Sequence, residues 1–251
     1  MSDLEFTGER LVPDISPADL EAEHRARYEF ATRFIEGRKI LDVGCGAGYG
    51  SYMMSTKAGS VTGIDIDQKA VEFAKKNYEH ERVSFVNGDV RSLPFGDDEF
   101  SMCVCFEVIE HIKEPDKLLS EVSRVLGSKD DKGDPGLFIV STPNGGVKVS
   151  SKPNPFHVKE FSLGEFRALL NGYFPAELWT IDIYGQFVRG KNYSAMNVML
   201  KNVYLSFKGM LGIKPAEKPS GSQEKNKLAE FEFERENAQL AEYLVAVIRA
   251  R

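Results

Sequence analysis

Four glycines, Gly44, Gly46, Gly48 and Gly50, alternate along the segment ILDVGCGAGYG (40–50), directly behind a short apolar run. A chain that turns sharply from strand to helix, and lets a ligand touch its backbone, needs residues without a Cβ. The helix that follows presents unpaired N–H groups and the positive end of its dipole, which suit a carboxylate or a phosphate. The spacing is G-x-G-x-G, and Tyr49 stands where the dinucleotide fingerprint G-x-G-x-x-G carries its third glycine. Alone, this is a weak signal, because a merely tight loop has the same composition.

Three further positions give it meaning. The second apolar run ends at Asp65, 21 residues after Gly44, where a carboxylate can accept from both hydroxyls of a ribose. The third ends at Asp89 and Val90, where a carboxylate can accept from an adenine amino group. The fourth ends at Phe106 and Glu107. Four successive strand ends therefore carry ligand-type residues on one edge of a sheet, and ligands bind outside the carboxyl ends of such strands.

A second constellation follows. Glu107, Glu110 and His111 form E-x-x-E-H, and His157 lies in NPFHVKEFS. In one reading His111 or His157 is a general base and the glutamates shape the pocket. In another, Glu107, Glu110, His111 and His157 all ligate a divalent metal; carboxylates suit magnesium or manganese, and histidine adds softer ions. In a third, Glu110 and His111 only cap and support the turn.

The elements that must position these residues alternate in type. Residues 17–36 read as a helix, with Leu20, His24, Tyr28, Ala31 and Ile35 three or four apart and Gly37 as its end. Strands are predicted at 39–43, 60–66, 82–89, 100–108 and 137–143. Helices are predicted at 49–57, at 67–78 with Asp67 as N-cap, and at 115–126 with Pro115 in the first turn. Ser162 and Glu165 make a capping box for another helix. Two more strand-like runs span 176–187 and 241–251. Strands separated by helices imply right-handed crossovers and a parallel sheet covered on both faces.

The 251 residues suffice for one good-sized core and a small appendage. A net charge of −6 argues against a general nucleic-acid binder, so no DNA partner is expected. No apolar run is long enough to cross a membrane, and the segment MSDLEFTGERLVPD lacks a secretory pattern, so a cytoplasmic location is expected. Cys45, Cys103 and Cys105 show no metal or disulfide spacing; Cys103 and Cys105 share parity and should face one packed layer.

In combination, ILDVGCGAGYG, VTGIDID, NGDVRSLPFGDDEFSMCVCFEVIEH and LFIVSTPN resemble the class I S-adenosylmethionine-dependent methyltransferase superfamily over residues 38–145. The resemblance implies a Rossmann-like, doubly wound α/β sandwich of three layers. Its seven-stranded sheet would be mostly parallel, with an antiparallel last strand. Residues 1–37 would form an N-terminal helical cap and residues 38–251 the catalytic domain. It also implies contacts to S-adenosylmethionine. Gly44, Cys45 and Gly46 would bind the methionine end, with Asp42 near its amino group. Asp65 would hold the ribose, Ile66 would lie on the adenine, and Asp89 and Val90 would read its edge. Phe106 and Glu107 would sit beside the sulfonium, and His24 and Tyr28 would close over the methionine. E-x-x-E-H is similar to the pattern of metal-using relatives that act on RNA 3′ ends and on quinone-precursor catechols. TGERLVP, EHRARYEF and NPFHVKEFS resemble a subgroup of polysaccharide- and sugar-modifying enzymes.

The acceptor is less legible. No N/D-P-P-Y/F/W motif follows the fourth strand, which argues against an adenine or glutamine amide nitrogen. The leading expectation is oxygen or nitrogen of a small-molecule or saccharide acceptor. A macromolecular acceptor, protein or RNA 3′ end, and a non-catalytic cofactor-binding module stay open. A basic amphipathic insertion is predicted at about 188–236. From Val188 to Pro215 it has five basic residues and no acidic ones, with apolar residues at helical spacing over 196–211, and 214–227 reads as a flexible loop. A peripheral helix, a lid, a membrane contact and a homodimer contact are all open readings of it.

Overall fold

Five apolar runs become the parallel strands β1 (Lys39–Val43), β2 (Ser60–Asp65), β3 (Val83–Asn87), β4 (Met102–Phe106) and β5 (Leu137–Pro143). They are seen in a computed structural model that describes residues 11–13, 15–129, 132–147, 154–188, 231–235 and 237–251. β1, β4 and β5 are buried along almost their whole length, as strands covered on both faces must be. Parity then sorts their side chains into two cores. Met102, Val104 and Phe106 of β4 pack with Ile40 and Ile139 on one face. Cys103 and Cys105 pack with Leu41, Val43, Phe138 and Val140 on the other, as their shared parity predicts.

Each core is closed by helices. On the Met102 face lie α1 (Ala18–Ala31), through Phe30 and Ala31, and α2 (Tyr49–Ser55), through Met54. On the Cys103 face lie α4 (Pro115–Val125), through Leu118, Leu119, Val122 and Val125, and α5 (Leu163–Asn171), through Phe166 and Leu170. α3 (Gln68–Asn77) sets Val71 and Ala74 against Cys45 and Phe85. The caps form where they were expected: Asp67 accepts from the Lys69 N–H at 2.8 Å, and Ser162 and Glu165 cap reciprocally. α1 ends at Ala31, short of Gly37. Thr32 turns its hydroxyl back on the Glu29 carbonyl (2.7 Å), and the chain leaves in separate turns, Phe34 to Ala31 and Arg38 to Ile35.

Among the described residues the sheet has eight strands in the order β3-β2-β1-β4-β5-β8-β6-β7, where β6 is Trp179–Val188, β7 is Phe231–Glu234 and β8 is Tyr243–Ala250. β8 runs antiparallel between β5 and β6, so the expected α/β, mostly parallel sheet with an antiparallel last strand is present. The expected count of seven is exceeded by β7, an edge strand antiparallel to β6 that falls inside the segment read as an insertion. The amphipathic run at 196–211 and the loop at 214–227 lie outside the described residues, as do Thr7–Arg10 of TGERLVP. Among the described residues no helix is long and apolar enough to cross a membrane.

The order β3-β2-β1-β4 has one consequence for function. It brings the carboxyl ends of these four strands, with Asp89, Asp65, Gly44 and Phe106 at or just beyond them, onto one edge.

Candidate active site

The turn after β1 is held open by backbone geometry. Gly44 and Gly46 have φ of 76° and 53°, the left-handed region that glycine enters without strain. A Cβ on Gly44 would overlap the Val108 side chain, and one on Gly50 would overlap the Tyr28 ring. Asp65 ties the turn to β2. Its Oδ2 accepts from the Gly46 N–H and its Oδ1 from the Asp67 N–H, both at 2.9 Å. Asn87, at the end of β3, donates from one amide nitrogen to the Asp65 and Ile66 carbonyls at 3.0 and 2.9 Å. Ile66 is thereby fixed with its side chain outward, 68% exposed.

Asp89 is engaged by Arg91. The guanidinium Nη2 donates to Oδ2 at 2.7 Å, Nε reaches both oxygens, and the Arg91 backbone N–H donates to Oδ1 at 2.9 Å. The hydrogen bonds from Arg91 hold this carboxyl below the usual carboxylate range. Arg91 also reaches Glu114 at 3.3 Å.

Beyond β4 the chain bends at Glu107, a non-glycine residue with φ of 56°. Its Oε1 accepts from the Ser141 hydroxyl at 2.6 Å. Its Oε2 lies 3.3 Å from Nη2 of Arg27, a residue of α1 that is fully buried. Arg27 also donates to Gln186 Oε1 of β6 at 2.7 Å and stacks its guanidinium 4.4 Å from the centre of the Tyr243 ring of β8. Burial opposes the arginine charge, but Glu107, Tyr243 and Glu23 outweigh it and its pKa rises.

Beneath the glycine turn sits Asp42. Ser51 donates to its Oδ2 at 2.6 Å, and the Tyr28 hydroxyl lies 3.3 Å from each carboxylate oxygen. Burial pushes this carboxyl up to about 7, against the opposing hydrogen bonds from Ser51 and Tyr28. The Tyr28 ring stands edge-on to Phe106, 5.0 Å between centroids, and to Tyr49.

The E-x-x-E-H segment is a single 3₁₀ turn, Ile109–His111. His111 Nδ1 lies 3.1 Å from the Phe156 carbonyl, which can only accept, so the neutral ring keeps its lone pair on Nε2. His157 stacks edge-on against it at 4.9 Å, with Nδ1 2.7 Å from Glu160 Oε1 and Nε2 2.9 Å from Asn154 Nδ2. Glu110 is buried behind both, accepting from the Thr142 hydroxyl at 3.2 Å. Glu110, His111 and His157 bring one ligand atom each within 4.8 Å of one another. Glu107 is not in that group, because Arg27 and Ser141 hold its oxygens.

One cavity of about 550 Å³ runs along this edge. Gly44, Cys45, Gly46, Asp65 and Ile66 line one stretch of it, and Asp89, Val90, Phe106 and Glu107 continue the wall. His24 and Tyr28 reach it from α1, and His111 reaches it from the 3₁₀ turn. Three singled-out residues are not on its wall: Asp42 lies under Tyr28, Glu110 lies behind His111, and His157 faces His111 from outside. The sequence reading missed Arg27, Arg91 and Ser141. Arg91 alone had a local signal, an arginine two residues after the Asp89 carboxylate. Arg27 and Ser141 meet Glu107 only through the fold.

The family model described as "Methyltransferase domain" matches residues 41–129, the stretch from β1 through the end of α4. A probable S-adenosylmethionine-dependent methyltransferase of Mycolicibacterium smegmatis is 33% identical over 67% of this chain, and the match spans 64% of that relative's length. A fatty-acid O-methyltransferase of the same organism is 35% identical over 37% of this chain and 34% of its own. The crystal structure of the YcgJ protein of Bacillus subtilis superposes with a TM-score of 0.57 over 91% of this chain and 99% of that one, at 19% identity, a likeness of fold. With the glycine turn after β1 and acidic residues closing the next strands along the same edge, the chain belongs to the class I S-adenosylmethionine-dependent methyltransferases.

Proposed function

We propose that this protein transfers a methyl group from S-adenosylmethionine to oxygen or nitrogen of a small-molecule or saccharide acceptor. The observation that carries the reading is the cavity in which four strand ends and His111 meet. Its volume of about 550 Å³ falls within the range of about 300–1,000 Å³ usual for small-molecule sites. The residues present fit the donor. Cys45 and Gly46 bring the glycine-turn backbone onto the cavity wall, Asp65 offers a carboxylate for a diol, Ile66 an outward apolar side chain, and Asp89 a carboxylate edge. Phe106 and the Glu107 carboxylate give a part-apolar, anionic wall suited to a cation.

When bound, the donor supplies a methyl group already activated by positive sulfur. The chain's part is to hold the acceptor in line and exclude water, and orientation of this kind is worth about 7–11 kcal/mol. Glu107 is placed for the first task, since Arg27 and Ser141 fix its carboxylate in one orientation. Proton removal from the acceptor falls to His111, whose Nε2 is the basic atom of the ring once Nδ1 is turned to Phe156. An acceptor of modest size is supported by the fatty-acid O-methyltransferase among the relatives. The activity, acceptor and location in the cytoplasm are our reading of the chain.

The test has two arms. Calorimetry with S-adenosylhomocysteine should show one site per chain. A tritiated-methyl assay against panels of sugars, phenols, carboxylic acids, protein and RNA should label a small molecule. Absence of binding overturns the donor assignment; label confined to protein or RNA overturns the acceptor class.

A further inference from the structure

We infer that the acceptor is anionic: a hydroxyl compound whose carboxylate or phosphate group is held by Lys113 while the reacting hydroxyl faces His111. The inference rests on the methyl-transfer reading of the same cavity and names the acceptor's chemistry. Lys113 and His111 both line that cavity. Ile112 between them is extended, with φ of −92° and ψ of 122°. Side chains on either side of an extended residue leave the backbone in the same direction. At roughly 3.3 Å per residue their Cα atoms stand about 6.6 Å apart. One six-membered ring spans such a distance, so a single small molecule can meet both side chains. Val108 and Ile112 share this stretch of wall and suit the face of a ring.

Lys113 stands out once the charges along the wall are matched. Asp65 accepts from the Gly46 and Asp67 amides. Glu107 faces Arg27 at 3.3 Å. Asp89 is gripped by Arg91, which also reaches Glu114, and Lys117 answers the other Glu114 oxygen at 2.6 Å. Every other aspartate, glutamate, lysine and arginine on the wall thus meets a partner. Among the described residues no hydrogen bond or ion pair reaches Lys113, and the residue is exposed.

An unmatched ammonium on a cavity wall attracts an oxyanion. The hydroxyl to be methylated is neutral, so the oxyanion is a second group on the acceptor. Lysine is a point charge on a flexible stem, without the planar fork of arginine, and takes either a carboxylate or a phosphate. Held there, the acceptor turns its hydroxyl to His111 Nε2. In the transfer the acceptor oxygen bonds to the methyl carbon as the carbon–sulfur bond breaks. That electron pair goes to sulfur, the hydroxyl proton goes to His111 Nε2, and the anionic group is unchanged.

The full chain with S-adenosylmethionine would be assayed on matched pairs that differ in charge. These are methyl glucuronide and methyl glucoside, para-hydroxybenzoate and para-hydroxybenzamide, and a phosphorylated hexose and the free hexose. At least one anion should be methylated, with a KM about tenfold below that of its neutral counterpart. The first two pairs set against the third tell carboxylate from phosphate. Lys113→Gln should raise KM for that anion about tenfold and lower kcat less, Lys113→Arg should restore it, and Lys113→Glu should turn the preference toward the neutral member. Added salt should raise KM for the anion in the parent but not in Lys113→Gln. Lys117→Gln, a loss of charge at a lysine already paired with Glu114, should keep the parent's discrimination. No methylated anion, equal KM values within every pair, or discrimination that survives in Lys113→Gln overturns the inference. So does a methyl group found by mass spectrometry on the carboxylate or phosphate itself. S-adenosylhomocysteine binding is read on the same samples by calorimetry: its failure sinks the donor reading, and intact binding without an anion preference sinks this inference alone.

Discussion

Arg27 Nη2 stands 3.3 Å from Glu107 Oε2, with the arginine side chain 0% and the glutamate 10% exposed, so helix α1 delivers a buried cation to the bend that follows β4. The same guanidinium reaches Gln186 of β6 and Tyr243 of β8. One side chain therefore couples the N-terminal helix, the end of β4 and the antiparallel strands.

The pair makes a stability prediction. Removing one partner of a buried ion pair leaves an uncompensated charge and costs about 3–5 kcal/mol. Arg27→Ala should lower the urea unfolding free energy by about that amount, with an unchanged slope. Arg27→Ala together with Glu107→Ala should recover part of the loss. If the double variant is as unstable as the sum of the singles, the pair is not the source.

This relationship also marks where the sequence stops being readable. Strands and helices were legible because each carries its pattern locally: buried runs for β1, β4 and β5, the Asp67 cap for α3, the Ser162–Glu165 box for α5. The gathering of Gly44, Asp65, Asp89 and Phe106 on one edge was legible because strand ends fall at fixed places on a parallel sheet. Arg27 was not, since Glu107, Gln186 and Tyr243 all lie 80 or more residues away from it, and an arginine between Ala26 and Tyr28 looks like a solvated position. Strand β7 was missed because FEFE is only four residues long and is a strand chiefly by pairing with β6. Asp42 was assigned to the ligand on motif position alone. In a strand buried on both faces it points into protein, where Ser51 and Tyr28 meet it.

Asp65 gives a binding prediction. Its carboxylate holds the Gly46 and Asp67 amides, so losing it loosens the glycine turn as well as removing the diol acceptor. Hydrogen bonds to a charged group contribute about 1.5–3 kcal/mol, so Asp65→Ala should weaken S-adenosylhomocysteine binding about 10–150-fold by calorimetry. Asp65→Asn, which keeps one acceptor oxygen, should fall between. Unchanged affinity in both removes Asp65 from the site.

Asp42 gives a pH prediction. Burial raises its carboxyl from the ordinary range to about 7, so between about 4 and 7 the folded state binds more protons than the unfolded chain. Stability from this group therefore falls as pH rises through that window, and is flat above it. Glu23 and Glu110, also raised by burial, act in the same direction, while His24, lowered by burial, acts in the opposite one. The measurement must therefore be a difference. Asp42→Asn should gain melting temperature relative to the parent as pH goes from 5 to 8. A constant difference across that range would show that Asp42 is ionised in the fold throughout.

His111 gives the kinetic prediction. Its Nδ1 is turned to the Phe156 carbonyl and its ring is on the cavity wall, so a substitution touches the acceptor side and leaves the glycine turn, Asp65 and Ile66 in place. Loss of a positioned base costs about 10²–10⁴ in rate. His111→Gln should therefore reduce kcat by that order while S-adenosylhomocysteine affinity stays at the parent value. The chemistry of the acceptor sharpens the test. A hydroxyl or an ammonium must lose a proton, whereas a carboxylic acid is already ionised at neutral pH. Across a series of active acceptors, the His111→Gln defect should be largest for hydroxyl substrates and small for carboxylates. A uniform defect assigns His111 to holding the acceptor, and parallel losses in kcat and donor affinity reject any role in proton removal.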